Sequence, residues 1–263
     1  MTNPSKAEFA YGSLVLLVDR KQRRYLVRLA DGASFHSHAG YVAHEDIVGQ
    51  RDGYLARSTL GAAYICVTPT LSDFIFEMPR GAQVIYPKDI GAILVQADIY
   101  PGARVLEAGV GSGALSMAML RAGADIVGYE LRDDFAAKAK ANVASFLGDD
   151  ATARYSVELR DVYDGIDERD LDRIVLDLPE PWKVVKHAES ALRVGGIFFA
   201  YVPSTVQVAH LREALDDSGF AMAQTNEVLQ RGWYVNGAAV RPDHRMVGHT
   251  GFLTTARLLG PDA

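Results

Sequence analysis

The chain has 263 residues, of which 49% are hydrophobic and 23% are charged, and this is the composition of a globular protein rather than of a disordered or fibrous one. The single cysteine, Cys66, excludes an intramolecular disulfide framework and a cysteine-rich zinc site. A formal net charge of -6 argues against a protein that holds nucleic acid by bulk charge alone.

The N-terminus shows no targeting pattern. Met1 to Ala10 lacks both a basic region and an apolar run, and no apolar stretch in the chain approaches the ~20 residues that a bilayer-spanning helix needs. We therefore expect a cytoplasmic protein with no membrane segment.

Roughly the first 95 residues predict short strands broken by turns. Leu14–Val18 and Tyr25–Leu29 are rich in apolar residues and flank the charged stretch 19–24, which is the pattern of a β-hairpin. Further turns are indicated at Asp31-Gly32 and Asp52-Gly53. We expect a small N-terminal β domain over residues 1–75.

A basic cluster lies at this hairpin. Arg20, Lys21, Arg23, Arg24 and Arg28 follow one another with no acid between them, which is the composition of a small basic patch. Such a patch either contacts an acidic partner such as nucleic acid or forms a solvated hairpin edge, and the residues alone leave both open.

From Pro101 onward the pattern changes to alternating strands and helices, which predicts a parallel sheet with crossover helices. The predicted strands are Arg104–Glu107, Ile126–Tyr129, Tyr155–Leu159, Arg173–Leu178 and Gly196–Val202, and the predicted helices are Ala114–Arg121, Leu131–Phe146, Trp182–Leu192 and Ser204–Ser218. Strands near Glu227–Val235 and Gly251–Arg257 would close the sheet. Because no helix separates these last two strands, we expect an antiparallel ending.

A glycine-rich loop directly follows the first of these strands. The segment 107–113, Glu-Ala-Gly-Val-Gly-Ser-Gly, lies between a buried strand and a helix, where glycines let a ligand approach the backbone and the helix N-terminus offers free N–H groups. Glu130 ends the next strand about 20 residues later, where the ribose of a nucleotide-like cofactor needs an acceptor. A tight strand-to-helix turn is the alternative, and the geometry suits NAD as well as S-adenosylmethionine.

The glycine spacing distinguishes a site for NAD from a site for S-adenosylmethionine. Glu107-x-Gly109-x-Gly111-x-Gly113 departs from the dinucleotide fingerprint G-x-G-x-x-G and resembles the first motif of class I methyltransferases. By that resemblance, the acid that follows the third strand lies near the adenine amino group, and Asp161 fits this place. A helix cap or a surface acid is the alternative for Asp161.

The fourth strand ends in the hexapeptide Asp177-Leu178-Pro179-Glu180-Pro181-Trp182. Its two prolines cannot continue a central strand, so the chain must turn outward at the carboxyl edge of the sheet, where doubly wound folds bind ligands. Asp177 is then presented beside the cofactor, where its carboxylate can accept a hydrogen bond from an exocyclic amine and take up a proton. The alternative is that Asp177 caps the following helix while Trp182 packs in the core.

Several segments together resemble the tRNA adenine N1-methyltransferases that act on position 58 in the T-loop, especially the actinobacterial members. They are 35–38 (Phe-His-Ser-His), 83–89 (Gln-Val-Ile-Tyr-Pro-Lys-Asp), 105–115, 177–182, and 241–250 with Arg-Pro-x-His-x-Met-x-Gly-His-Thr. The resemblance implies an α/β, Rossmann-like class I methyltransferase with a doubly wound, mostly parallel sheet over residues 76–263. It also implies S-adenosylmethionine as cofactor, an N-terminal domain that helps to hold tRNA, and a homotetramer.

The resemblance assigns roles to individual positions. Asp177 matches the catalytic acid, and Tyr86 matches an aromatic residue near the target pocket, where a flipped adenine could stack. The cofactor-binding positions are Gly109, Gly111, Ser112, Gly113, Ala114, Leu115, Glu130, Phe135, Asp161 and Asp177, of which Phe135 is equally plausible as a core residue. The expected substrate contacts are Tyr86, Trp182, Arg23 and Arg24.

We expect no metal, since His36 and His38 have no cysteine near them and structural hydrogen bonding explains them better.

The alternative functions are methylation of another RNA base or of a small molecule, an NAD-binding oxidoreductase, and a catalytically silent tRNA-binding subunit. The glycine spacing disfavours the oxidoreductase. The intact loop, together with Glu130 and Asp177, disfavours the silent subunit.

Overall fold

The computed structural model describes residues 8–81 and 83–260 and divides the chain into two compact units, Met1–Pro79 and Arg80–Ala263. The expected domain boundary between residues 75 and 76 falls shortly before this division, inside a helix. The expectation for Met1 to Ala10 falls mostly on residues 1–7, which lie outside the described residues. Within the described ranges, no helix combines the length and the apolar character that crossing a membrane requires.

The described part of the N-terminal unit, residues 8–79, contains six short strands. They are β1 (Leu14–Asp19), β2 (Arg24–Arg28), β3 (Ser34–Ser37), β4 (Gly40–Ala43), β5 (Tyr54–Arg57) and β6 (Ala63–Val67). Four of them form an antiparallel sheet in the order β2-β1-β6-β5, and β3 pairs with β4. The predicted first hairpin is confirmed, because Leu14 pairs with Arg28 and Val18 pairs with Arg24.

An apolar cluster forms the core of this unit. It contains Val15, Leu17, Leu29, Val42, Ile47, Ala56, Tyr64 and Cys66, all buried. Val15 and Leu17 alternate along β1 as the period of a strand requires. Cys66 is buried among them as a small hydrophobe, and burial raises the pKa of its thiol to about 11.

The expectation that the first 95 or so residues contain only strands is wrong. Helix α1 (Leu71–Glu77) ends the N-terminal unit, and helix α2 (Pro87–Gln96) begins the next. The sequence carried a start signal for each. Thr70 and Asp73 form a reciprocal capping box before α1, and Pro87 occupies the first position of α2, where its fixed φ favours the helix.

The second unit contains seven strands in one sheet, a separate hairpin and six helices among the described residues. In chain order after α2 the elements are β7 (Arg104–Ala108), α3 (Ala114–Arg121), β8 (Asp125–Glu130), α4 (Asp133–Leu147), α5 (Asp149–Thr152), β9 (Tyr155–Leu159), β10 (Leu171–Asp177), α6 (Val185–Ala191), β11 (Leu192–Val202), α7 (Thr205–Asp216), β12 (Phe220–Glu227), β13 (Trp233–Asn236), β14 (Ala239–Pro242) and β15 (Phe252–Leu258). Short 3-10 helices occupy Val162–Asp164 and Pro181–Val184.

The sheet has the strand order β12-β15-β11-β10-β7-β8-β9. Strands β7 to β11 are parallel, and β15 is antiparallel to both of its neighbours, as the sequence predicted. From β7 the chain proceeds outward through β8 and β9, then returns to β10 on the other side. The order therefore reverses between β7 and β10, and the carboxyl ends of these two strands form the crevice where such sheets bind ligands.

The central strands are buried on both faces, which explains their unbroken apolar runs. Leu106, Ile174 and Phe198, from three neighbouring strands, are each 0% exposed and belong to one large core cluster. This packing fixes the strand ends that carry the site.

The predicted strand Glu227–Val235 is wrong. The sheet strand is β12, which ends at Glu227, and Trp233–Asn236 pairs instead with Ala239–Pro242 in a separate hairpin. Within β12 the pairing register shifts between Ala221 and Gln224, around Met222 at a φ of +57°. This irregularity interrupts the alternation by which a strand is recognised in a sequence.

Candidate active site

The loop between β7 and α3 has a backbone shape that depends on its glycines. Gly109, Gly111 and Gly113 have φ angles of +82°, +57° and +81°, in the left-handed region that favours glycine. A Cβ on Gly109 would collide with the backbone carbonyl of Asp177, whereas a Cβ on Gly111 would meet nothing within 4 Å. Gly109 therefore lets the loop approach the end of β10, and Gly111 borders open space.

One cleft is lined by this loop, by the ends of β7 and β10, and by the segment before α2. The lining residues are Gln83, Val84, Ile85, Glu107, Gly109, Val110, Gly111, Ser112, Ala114, Leu115 and Asp177. The fold thus brings together six of the predicted residues, namely Gly109, Gly111, Ser112, Ala114, Leu115 and Asp177. The predicted Gly113 packs on α4 instead, where its Cβ would lie 3.2 Å from Ala139.

Glu130 is held at the end of β8 by two backbone donors. Its Oε2 accepts a 3.0 Å hydrogen bond from the N–H of Gly111, and its Oε1 accepts one of 3.0 Å from the N–H of Arg132. The residue is 8% exposed. Since each carboxylate oxygen can accept more than one hydrogen bond, Glu130 is oriented by the protein and keeps capacity for hydroxyl donors.

Ser112 carries a buried hydroxyl whose Oγ has no hydrogen-bond partner within residues 8–81 and 83–260. Its carbonyl oxygen accepts a 2.9 Å hydrogen bond from the Asn142 side chain, which ties the loop to α4. A buried polar atom without a partner is costly, and because Ser112 lines the cleft its hydroxyl is available to a polar ligand there.

Glu107 is the buried acid at the end of β7. Ser116 donates a 2.5 Å hydrogen bond to its Oε2, and the Tyr155 hydroxyl donates one of 3.1 Å to Ser116. Burial raises the pKa of Glu107 to about 8, and the nearby carboxylates of Asp177 and Glu130 act in the same direction. Near neutral pH Glu107 is therefore largely protonated, so it can donate a hydrogen bond in the cleft.

Asp177 ends β10 and stands in register with Tyr201 of the neighbouring strand β11. Its side chain opens to solvent in the cleft, but the surrounding protein atoms displace much of its hydration and raise its pKa to about 7. Asp177 does not cap the following helix, because Glu180 holds the residue position before Pro181–Val184. The chain turns outward here as the two prolines predicted.

Asp161 and Phe135 lie outside the lining of the cleft. The Oδ1 of Asp161 accepts a 2.9 Å hydrogen bond from the N–H of Tyr163 and caps the short helix that follows, so the helix-cap alternative describes its contact. Phe135 is half-buried on α4 with the guanidinium of Arg132 over its ring, 3.9 Å from the centroid. Phe135 therefore packs at the surface rather than in the centre of the core.

The two predicted aromatic contacts differ in position. Tyr86 is half-buried and directly follows Ile85, which lines the cleft. Trp182 packs against the large core cluster and edge-on to His210, with 5.0 Å between ring centroids. The structure therefore gives Trp182 a packing role and no place in the cleft.

In the N-terminal unit, each of the two predicted tRNA-contacting arginines has an acidic partner. Arg23 Nε lies 2.6 Å from Asp19 Oδ2, and Arg24 Nη1 lies 2.5 Å from Asp73 Oδ1. Their side chains remain 46% and 48% exposed. The cluster that has no acid within it in sequence is thus partly neutralised in the fold.

The histidines that the sequence analysis assigned to structural hydrogen bonding have polar or aromatic neighbours. His38 Nε2 lies 3.5 Å from Arg23 Nη2, and the His36 ring packs against Tyr41 at 5.6 Å between centroids. Across the described part of the chain, no group of three or more His, Cys, Asp or Glu residues could hold a metal ion.

Tyr201 is a candidate site residue that the sequence analysis did not single out. It lies one residue before the end of β11, in register with Asp177, is 8% exposed, and places its hydroxyl 3.4 Å from Asp89 Oδ2. The available signal was an aromatic residue near the carboxyl end of the predicted buried strand Gly196–Val202.

The chain matches two known protein families along most of its length. Residues 62–240 match the family described as the tRNA methyltransferase complex GCD14 subunit, and residues 8–55 match the TrmI-like N-terminal family. The chain belongs to the GCD14 family. This confirms the family that the sequence motifs indicated.

The curated relatives agree with that assignment. The tRNA (adenine(58)-N(1))-methyltransferase TrmI of Thermus thermophilus is 36% identical over 94% of this chain and 98% of the relative. The tRNA (adenine(57)-N(1)/adenine(58)-N(1))-methyltransferase TrmI of Methanocaldococcus jannaschii is 35% identical over 95% of each chain. The prediction of a methyltransferase is confirmed.

Two solved structures share the fold over nearly the whole chain. One, described as a SAM-dependent O-methyltransferase from Thermotoga maritima, has a TM-score of 0.90 and 30% identity, covering 96% of this chain and 95% of that one. The tRNA (m1A58) methyltransferase TrmI from Aquifex aeolicus has a TM-score of 0.83 and 25% identity, covering 97% and 100%. The predicted class I methyltransferase fold with an N-terminal β region is confirmed.

Proposed function

We propose that this protein transfers a methyl group from S-adenosylmethionine to N1 of adenine 58 in the T-loop of tRNA. The observation that carries the proposal is the position of Asp177, which shares one cleft with the glycine-rich loop. The chain is similar over nearly its whole length to relatives named for this reaction.

The cleft fits the chemical groups of S-adenosylmethionine. Ser112 offers an unpartnered buried hydroxyl, and the open side of Gly111 permits close approach to the backbone. Glu130 is not one of the lining residues, but it is hydrogen-bonded to the lining residue Gly111 and offers oriented acceptor capacity for ribose hydroxyls. Glu107 adds a protonated carboxyl that could donate to a carboxylate. When bound, the cofactor supplies an electrophilic methyl group on a sulfonium ion. These cofactor roles, with Phe135 and Asp161 at the margin, belong to the proposal.

Asp177 supplies the charge that the substrate needs. As N1 of adenine gains a methyl group the ring becomes cationic, and a carboxylate that accepts a hydrogen bond from the exocyclic amine stabilises that charge. The same carboxylate can take up the proton that the product loses. Its pKa of about 7 lies close to neutral pH, where a general base is most effective. The protein otherwise contributes alignment of the ring nitrogen with the methyl group.

The proposed base site lies on the β11 side of Asp177. The glycine-rich loop follows β7 on one side of β10, so an adenine that reaches Asp177 approaches from the other side, where Tyr201 lies near the end of β11. Tyr86, beside the cleft-lining Ile85, is the proposed stacking partner of the flipped base or its sugar. Trp182 is left out of this site because it is half-buried against the core cluster and does not line the cleft.

We also propose that the exposed cations of the N-terminal unit, among them Arg23 and Arg24, contact tRNA phosphates.

We further propose that the protein is a cytoplasmic homotetramer. The hairpin β13–β14 supports an assembly, because Trp233, Val235 and Val240 are 58%, 66% and 59% exposed, and exposed apolar patches of this kind mark interaction surfaces.

The Thermotoga structure described as an O-methyltransferase shares the fold, and fold alone does not fix the acceptor atom. The acceptor is therefore the point to test. We expect tRNA from a strain that lacks the protein to contain no 1-methyladenosine at position 58 when its nucleosides are analysed by mass spectrometry. The wild-type protein should restore the modification, and Asp177→Asn should not. Unchanged 1-methyladenosine in the deletion strain would refute the proposed function, and restoration at position 57 as well would extend it.

A further inference from the structure

A buried ionic network lies beside the proposed base site, and the mechanism above makes no use of it. The ammonium of Lys88 donates to Asp89 Oδ1 at 2.7 Å, to Thr250 Oγ1 at 2.6 Å and to the carbonyl of Val228 at 2.6 Å. Asp89 is 0% exposed, and the side chain of Lys88 is 7% exposed. All three donor positions of the ammonium therefore have an acceptor inside the protein.

The second oxygen of Asp89 completes the network. Thr250 Oγ1 donates to Asp89 Oδ2 at 2.7 Å, and the hydroxyl of Tyr201 donates to the same oxygen at 3.4 Å. The Thr250 hydroxyl thus accepts from Lys88 and donates to Asp89, which closes a ring of three hydrogen bonds. Buried charges that are fully hydrogen-bonded hold one geometry, and removing one partner leaves another unpaired.

The network joins parts of the catalytic unit that are far apart in sequence. Lys88 and Asp89 lie in the first turn of α2, and Tyr201 lies one residue before the end of β11. Val228 and Thr250 stand at the two ends of the segment that carries the β13–β14 hairpin. Both ends of that segment are therefore tied to the start of α2.

Tyr201 is the member of the network that reaches the site. It stands in register with Asp177, on the side from which the base approaches. Its ring is packed on one side by Gly251, where a Cβ would overlap the ring, and its hydroxyl is held by Asp89. A Tyr side chain has two rotatable angles, and these contacts restrict both.

We propose that Lys88, Asp89 and Thr250 form a clamp that positions Tyr201 beside Asp177 for methyl transfer. Asp89 and Thr250 are positioning residues in this account, since they act on the base only through the tyrosine ring. The proposal rests on the proposed function, because it assigns the clamp to the same reaction.

The test uses two substitutions at one position. Thr250→Val keeps the shape of the side chain and removes the hydroxyl, whereas Thr250→Ser keeps the hydroxyl. We expect Thr250→Val to lower the single-turnover rate with saturating tRNA and S-adenosylmethionine by about tenfold or more, since a hydrogen bond to a charged group corresponds to a factor of about 10 to 100. Thr250→Ser should stay within about threefold of the wild-type rate, because it preserves the hydrogen bonds that define the clamp.

A matched control and a coupling measurement separate positioning from general destabilisation. Thr225→Val removes another half-buried hydroxyl, whose Oγ1 lies 2.8 Å from Thr254 Oγ1 and which is not part of the clamp. This variant should leave the rate unchanged. Tyr201→Phe removes the hydroxyl through which the clamp reaches the ring. If the clamp acts through that hydroxyl, the double variant Thr250→Val with Tyr201→Phe loses little more than the slower single variant.

Affinity for S-adenosylhomocysteine, the demethylated cofactor, should be unchanged in Thr250→Val, because the clamp does not line the cofactor side of the cleft. The clamp is refuted if Thr250→Val keeps the wild-type rate, if Thr250→Ser loses as much as Thr250→Val, or if cofactor affinity falls in proportion to the rate. A wild-type protein that fails to methylate tRNA in this assay refutes the proposed function itself, so the two failures are distinguishable.

Discussion

The backbone N–H of Gly111 donates a 3.0 Å hydrogen bond to Glu130 Oε2. This bond joins the glycine-rich loop after β7 to the acid that ends β8, two features that the sequence places about 20 residues apart. Because Gly111 adopts a φ of +57°, the loop directs this N–H at the carboxylate and leaves its other side open. The shape of the loop and the orientation of Glu130, the proposed cofactor acceptor, therefore depend on one hydrogen bond.

The first prediction concerns that acceptor. Glu130→Gln removes the charge and places an amide N–H₂ near the backbone donors of Gly111 and Arg132, so we expect affinity for S-adenosylhomocysteine to fall about tenfold to a hundredfold. Isothermal calorimetry measures it. Glu213→Gln, on the exposed surface of α7, is the control and should bind normally. Normal affinity in Glu130→Gln would remove this residue from the cofactor site.

The second prediction compares two glycines of the same loop. Gly109→Ala and Gly111→Ala both place a side chain at positive φ, which costs about 1 kcal/mol, but only at Gly109 does the new Cβ collide with the Asp177 carbonyl. Gly109→Ala should therefore lower the free energy of unfolding of the cofactor-free protein by about 1–3 kcal/mol more than Gly111→Ala does. Chemical denaturation measures both. Equal losses would show that the close approach to β10 is unimportant for stability.

The third prediction concerns the basic cluster of the N-terminal unit. The double substitution Arg23→Gln and Arg24→Gln should weaken tRNA binding and flatten its dependence on salt, each lost phosphate contact lowering the log-log slope by up to about 0.9. Arg51→Gln is the matched control, because Arg51 is also exposed and ion-paired in the same unit, to Glu8 at 3.2 Å. Fluorescence anisotropy over a series of salt concentrations gives both quantities. If the double variant binds like the control, the pairs with Asp19 and Asp73 have made these cations part of a solvated edge.

Much of the catalytic unit follows from local sequence. Ala114–Arg121 and Tyr155–Leu159 have the bounds that their patterns predicted, because a glycine turn or a charged turn marks each end. The cleft followed from the same signals, since parallel strands that end near a glycine-rich loop meet at one edge of a sheet.

Local sequence could not predict the contacts that form between residues far apart in the chain. Arg24 forms an ion pair with Asp73, about 50 residues away in the chain, and no local sequence pattern predicts that pair. Tyr201 lies beside Asp177 only because β11 pairs with β10 in the sheet. Trp182 belongs to the hexapeptide that carries Asp177, yet its half-buried side chain packs against the core cluster and His210, a contact that the hexapeptide itself does not predict.

The fourth prediction concerns Asp177. Asp177→Asn keeps the size of the side chain and one acceptor oxygen but removes the charge, so single-turnover methylation should fall by about 10² to 10⁴ while tRNA and cofactor affinities change little. Because the pKa of Asp177 is raised to about 7, the methylation rate should depend on pH near neutrality. The ionised carboxylate is the active form, so the wild-type rate should rise with pH through about 7 and then level off.

Asp177→Asn should show no such rise, and this separates the titration of Asp177 from that of Glu107, which the variant retains. A wild-type rate that already levels off near pH 5 would show that the carboxyl titrates as an ordinary aspartate when substrate is bound. Near wild-type rates in Asp177→Asn would mean that its charge has no catalytic role.

The most direct test of the whole account is nucleoside mass spectrometry of a single unmodified tRNA transcript after incubation with the wild-type protein and S-adenosylmethionine. A transcript that carries guanine at position 58 serves as the control substrate. The account predicts 1-methyladenosine in the first transcript, located at position 58 by nuclease mapping, and none in the second. Methylation at an oxygen, on another base, or to the same extent in both transcripts would contradict it.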